Sequence, residues 1–199
     1  MELRFCDERG ADGFGWIVDE SMTRTSHALV ADGKVWLVDP VDWADAIERA
    51  AALGEPAGVI QLLDRHGRDC AALAARLSVP HHVTPDEVPG SPFRFVPVLS
   101  RKRWRESALW WSETRTLAIA EALGSTAFFA VGGDPLGVHL LLRLAPPRML
   151  TAYEPEHVLV GHGDGVHGES ATRALRDALR TSRRGLPGVV VRLPFAGRS

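Results

Sequence analysis

The chain has 199 residues, 45% hydrophobic and 24% charged, with a formal net charge of −2. That balance suits one compact domain over residues 1–199, and a slightly negative total argues against a nucleic-acid groove, which needs a concentrated positive field. Two cysteines, Cys6 and Cys70, are too few for a disulfide framework. No window reaches the roughly 18 apolar residues that span a bilayer, and the charged N-terminus lacks a signal peptide's apolar block. No membrane partner and a cytoplasmic location are therefore the expectation.

In chain order, Phe14–Val18 is an apolar strand, and the runs His27–Ala31 and Lys34–Asp39 form a hairpin around Asp32-Gly33. The segment Asp42–Pro56 predicts a helix capped by Asp42 and stopped at Gly54, with Ala46, Ile47, Ala50 and Leu53 as its stripe. Gly58–Leu63 is a nearly unbroken apolar run, expected as a buried strand. A helix over Ala71–Leu77 and a short strand in VPHHV follow.

From Phe93 the pattern returns to strands: FRFVPVL, ESALWWSE and RTLAIAEAL, with a tight turn at Glu113-Thr114. Trp110 and Trp111 must face opposite sides of their strand, so one is expected in the core. GVHLLLRL (Gly137–Leu144) and PPRMLTAY (Pro146–Tyr153) read as helical, and His157–Val160 as a strand that empties into GHGDGVHG. Ser170–Leu186 is the clearest amphipathic helix, with Ala174, Leu175, Leu179 and Ser182 on one side, ended by Gly185 and Pro187. The order of elements predicts two sheets packed face to face with helices outside, an α/β/β/α sandwich.

The chemistry concentrates in LLDRHGRDC, Leu62–Cys70, where a buried strand hands over to a helix. Ligands of open α/β folds bind just beyond such strand ends. Asp64, His66 and Asp69 have metal-ligand spacing, yet Arg65 and Arg68 between them cannot ligate. The plainer reading is that Asp64 and Asp69 cap the following helix. GHGDGVHG reads equally as a glycine turn or as a backbone anion cradle. Cys70 sits at a helix start, which lowers a thiol pKa. His81, His82 and His167 have no partner at diagnostic spacing.

Nearly the whole chain resembles the metallo-β-lactamase superfamily. KVWLVDP resembles that family's early strand ending in an aspartate, Leu63–Asp69 lines up with its HxHxDH signature, and HVLVGHG resembles its closing strand with His162 as the final histidine. The resemblance implies the family's four-layer sandwich and metal-dependent hydrolysis of ester, thioester, lactone or phosphoester bonds. It also locates departures at the ligand positions. Asp64 stands for the first motif histidine, Arg68 for the motif aspartate and Asp69 for its last histidine; His66 and His162 are kept. Glu121 stands for the bridging aspartate, and the loop histidine falls in SRKRW, near Lys102.

A dication and a guanidinium ~4 Å apart repel by about 8 kcal/mol at an effective dielectric near 20. The resemblance therefore implies a degenerate site without a metal cofactor, in which Arg65, Arg68, Lys102 and Arg103 bind a small anionic molecule. Its alternative is a hydrolase with one Zn, Fe or Mn ion held by His66, Asp69, Glu121 and His162, with Asp64 as general base. A homodimer is compatible with the sequence but not legible in it.

Overall fold

The computed structural model describes residues 2–20 and 22–184. One sheet holds β1 (Glu2–Cys6), β2 (Gly13–Asp19), β3 (Arg24–Ala31), β4 (Lys34–Val38), β5 (Glu55–Gln61) and β6 (His81–Val83), in that spatial order. β1 to β4 run antiparallel, while β5 and β6 join in parallel. The second sheet has the order β13 (Val166–His167), β12 (His157–Val160), β9 (Thr116–Ile119), β8 (Trp104–Trp111), β7 (Phe93–Arg101). β10 (Leu123–Gly124) and β11 (Gly137–Val138) make a small antiparallel pair.

Period-two alternation explains the layering. In β4, Val35 and Leu37 pack with Phe14 and Trp16 toward α1 (Ala44–Leu53) and α2 (Cys70–Leu77). Trp36 and Val38 face the opposite way, into the core shared with the second sheet. On the far side, α3 (Ser170–Thr181) lays Ala171, Ala174, Leu175, Ala178 and Leu179 over that sheet, the i, i+3, i+4, i+7, i+8 stripe of a core-facing helix. The result is helix, sheet, sheet, helix. Among the described residues no helix is long and apolar enough to cross a membrane.

Several local expectations hold. Asp32 and Gly33 both have positive φ, 51° and 70°, as a two-residue primed turn requires. Gly54 follows α1 because the chain passes very close there: a Cβ would lie 2.4 Å from the Gly33 carbonyl oxygen. Trp111 is core, whereas Trp110 is half-buried against Tyr153.

Others fail for tertiary reasons. Asp42 does not cap α1, whose N-cap is Trp43; its carboxylate pairs instead with Arg76. Gly137–Leu144 is no helix. Gly137 pairs with Gly124 and lies so close to the Phe129 carbonyl that a Cβ would sit 1.9 Å from its oxygen, and only a short 3-10 turn, Leu140–Leu142, follows. Arg148–Ala152 is likewise a 3-10 turn. α3 stops at Thr181, and the expected stop signals Gly185 and Pro187 lie outside the described residues.

Candidate functional site

The carboxyl ends of β4, β5, β9 and β12 converge on one side of the sandwich. β4 delivers Asp39, β5 delivers the Leu63–Arg68 turn, β9 delivers Glu121 and β12 delivers His162. They border a cavity of about 410 Å³ lined by Glu20, Met22, Arg24, Arg65, His66, Arg68, Glu121 and His162.

Arg68 organises the floor. Its guanidinium donates to the carbonyls of Thr25 at 2.5 Å, Asp39 at 2.7 Å and Gly161 at 3.0 Å. One side chain thereby joins strand ends from both sheets. Five fixed donors in a planar fork make arginine the residue able to do this. The backbone of Arg68 sits at φ 38°, in the left-handed region, an arrangement that persists where surrounding contacts over-determine it. Burial lowers its pKa, with Asp39 opposing, but a guanidinium stays protonated. Its two terminal nitrogens are consumed by carbonyls, so it is not a free hand for an anion, contrary to the sequence expectation.

Both surviving imidazoles have fixed tautomers. His66 Nδ1 lies 3.4 Å from Asp39 Oδ2, while Asp39 Oδ1 accepts the Leu62 N–H. His162 Nδ1 donates to the Met22 carbonyl at 2.8 Å, and its buried Nε2 has no partner. A proton on Nδ1 leaves a lone pair on Nε2 in each ring. The rings meet edge to face at 5.3 Å, and Phe129 stacks on His162. Burial pushes His162 down to about 4, reinforced by His66 and Arg68 against the Met22 hydrogen bond, so this imidazole is neutral at physiological pH.

The cavity rim is a set of ion pairs. Arg65 holds Glu121 at 2.8 Å and lies over the Trp104 ring at 4.5 Å, and Arg24 pairs with Glu20. Beneath them is a residue that sequence reasoning missed. Glu106, almost wholly buried, accepts the N–H groups of Glu121 (2.8 Å) and Ala122 (2.9 Å) on one oxygen and Trp104 Nε1 (3.0 Å) on the other. Burial raises its pKa against those three bonds. A carboxylate inside the apolar run WRESALWW was the available signal. His139, 3.6 Å from Glu121, was also missed; its assignment to a helix hid it.

Other expected site residues lie elsewhere. Lys102 and Arg103 occupy the exposed turn of the β7–β8 hairpin, whose strands pair out to Arg101 and Trp104, and do not line the cavity. Asp69 ends at α2, where its carboxylate accepts the Asp42 N–H at 2.8 Å. Asp64 does not line the cavity either, and its Oδ1 is buried without a hydrogen-bond partner among the described residues. Cys70 is buried and pushed up to about 12 by desolvation, the reverse of an activated thiol. The glycine loop is a turn rather than a cradle: the Gly163, Gly165 and Gly168 N–H groups go to Thr23, Asp7 and Glu156.

Among the described residues no three His, Cys, Asp or Glu side chains come together as a metal-holding group. His66 and His162 supply two donors, Arg65 engages Glu121, and Asp69 has turned away. Two imidazoles do not fit a four-coordinate ion, which takes at least three protein ligands.

No family model and no curated protein sequence matches the chain. Solved structures do. The chain is similar to the DIM-1 metallo-β-lactamase at 12% identity, covering 92% of this chain and 99% of that one, with a TM-score of 0.63. A metallo-β-lactamase from Hirschia baltica matches at 10% identity, 92% and 98% coverage and TM-score 0.63. The chemotaxis sensor ODP, in a peroxy diiron species, matches at 12% identity, 88% and 93% coverage and TM-score 0.59.

Proposed function

Taking as premise the metallo-β-lactamase fold that this chain shares with those proteins, we propose that its cleft works as a metal-free pocket for a small anionic molecule. Arg68 stands where a cation would otherwise join the strand ends. The observation that carries the anion reading is the wall of the cavity, where Arg24 and Arg65 stand opposite Glu20 and Glu121 while the buried guanidinium of Arg68 adds fixed positive charge to the floor. Arg65 is the exchangeable donor. Its side chain is 47% exposed and, among the described residues, it pairs with Glu121 alone, so an incoming anion competes with one surface-facing ion pair, whose own strength is at most about 1 kcal/mol.

Small anions test this directly. Inorganic phosphate and a short dicarboxylate are expected to raise the melting temperature in a concentration-dependent way, and Arg65→Ala is expected to abolish the rise. No stabilisation by any anion in the wild type would overturn the reading.

A second reading has its own support. The carboxylate behind His66 and the carbonyl behind His162 orient both Nε2 lone pairs, as outer partners do for metal-ligating histidines. A mononuclear hydrolase of ester, thioester, lactone or phosphoester bonds would then need Glu121 to leave Arg65. Near-stoichiometric zinc, iron or manganese in protein purified without a chelating tag, lost in a His66→Ala/His162→Ala variant, would establish that reading in place of the first.

A further inference from the structure

An anion that takes Arg65 leaves a carboxylate behind. The Glu121 side chain is only 14% exposed, and among the described residues the one hydrogen bond its carboxylate accepts is from Arg65, at 2.8 Å to Oε2. A mostly buried carboxylate without a partner is costly. The exchange is therefore favourable only where a second donor stands ready.

His139 is that donor. Its Nε2 lies 3.6 Å from Glu121 Oε1, the oxygen that Arg65 does not hold. That is too long for a hydrogen bond, and a movement of roughly 1 Å brings it into the charge-assisted range of about 2.7–2.9 Å. The backbone fixes which nitrogen carries the proton. The Leu141 N–H donates to His139 Nδ1 at 3.2 Å, so Nδ1 offers its lone pair and the neutral ring keeps its proton on Nε2, on the side of the carboxylate. Neighbouring rings hold the imidazole in place. Trp104 meets it edge to face at 4.8 Å, with Phe128 at 5.5 Å and Phe129 at 5.7 Å. The His139 N–H bonds the carbonyl of Ala122, the residue after Glu121, at 3.0 Å. Trp104 also carries the Arg65 guanidinium 4.5 Å from its centroid, so one indole supports both partners of Glu121.

We infer that Glu121 is an exchanging carboxylate and His139 its waiting partner: when a small anion takes Arg65, Glu121 turns to His139 Nε2–H, and His139 thereby sets how tightly the pocket binds. The exchange presupposes the anion pocket of the cleft. His139 does not line that cavity, so it is a positioning residue that acts through Glu121. Only hydrogen bonds change hands, and no proton is transferred. The ligand gains a guanidinium, and the displaced carboxylate regains a donor.

The test is calorimetric titration of inorganic phosphate, and separately of malonate, into the full chain. His139→Asn keeps an acceptor for the Leu141 N–H but is one atom too short to reach Glu121. It is expected to weaken anion binding about tenfold, the worth of one charge-assisted bond. His139→Gln carries its amide near the place of Nε2 and is expected to recover part of that loss. In a Glu121→Gln background, where no charge has to be rehoused, His139→Asn is expected to cost no more than about twofold, as a coupled pair requires. The His139 Nε2 proton is expected to move downfield in wild-type spectra as anion is added. A wild type that binds neither anion overturns the pocket and the exchange together. A wild type that binds while His139→Asn binds equally well overturns the exchange alone, as does a tenfold loss that persists in the Glu121→Gln background.

Discussion

Arg68 donates to three carbonyls, and the Gly161 carbonyl also accepts the Thr25 N–H at 2.9 Å. Leaving a buried acceptor unpaired costs about 1–3 kcal/mol, so Arg68→Met, which strips the Thr25 and Asp39 carbonyls of this donor, is expected to destabilise the fold by about 2 kcal/mol or more, read from the urea midpoint. Arg68→Lys should recover only part of that, because a single ammonium cannot span acceptors on β3, the end of β4 and the end of β12. Equal stability of the methionine variant would refute the strand-end role. His162 gives a pH signature. Its pKa is about 6.5 unfolded and about 4 folded, so between those values the unfolded chain binds the extra proton. The contribution is complete above pH 6.5 and falls away as pH drops toward 4, by up to about 3 kcal/mol. Urea unfolding at pH 7 and pH 5 should therefore differ more in the wild type than in His162→Asn.

At the scale of elements, close backbone approach and buried carboxylates do the positioning. Gly54 ends α1 where the chain nearly touches the β3–β4 turn. Gly54→Ala would press a methyl into a backbone carbonyl, which cannot swing aside, and a cost of about 1–3 kcal/mol is expected. A melting temperature unchanged by that substitution would remove the argument. Glu106 ties β8 to the Glu121 turn. Glu106→Leu strands three N–H donors and is expected to cost at least about 3 kcal/mol. Glu106→Gln keeps an acceptor for the two backbone donors and loses mainly the Trp104 bond, so its loss should be smaller.

For the molecule as a whole, charge placement matters more than the near-zero total. The pocket gathers guanidinium groups from β3 and from the β5 turn, while the SRKRW cations end on an exposed hairpin tip. Anion stabilisation should therefore weaken as ionic strength rises past ~0.15 M, where screening acts within about 8 Å, and it should survive Lys102→Ala/Arg103→Ala. Persistence of the anion effect in Arg24→Ala/Arg65→Ala would place the binding elsewhere.

The order of elements, the four layers, the Asp32-Gly33 turn and the strand-to-helix position of LLDRHGRDC were legible in the chain, because residue periodicity and turn chemistry are local. The family pattern also named His66, His162 and Glu121, which line one cavity. Which partner each charged side chain takes was not legible. Arg68 turning to carbonyls, Asp69 to the Asp42 N–H, Glu106 beneath the Glu121 turn and Asp7 against three partners 20 to 160 residues away are decided by which strand ends meet. A carboxylate's spacing along the chain carries no information about the donor that folding brings to it, and only the packed sheets supply that.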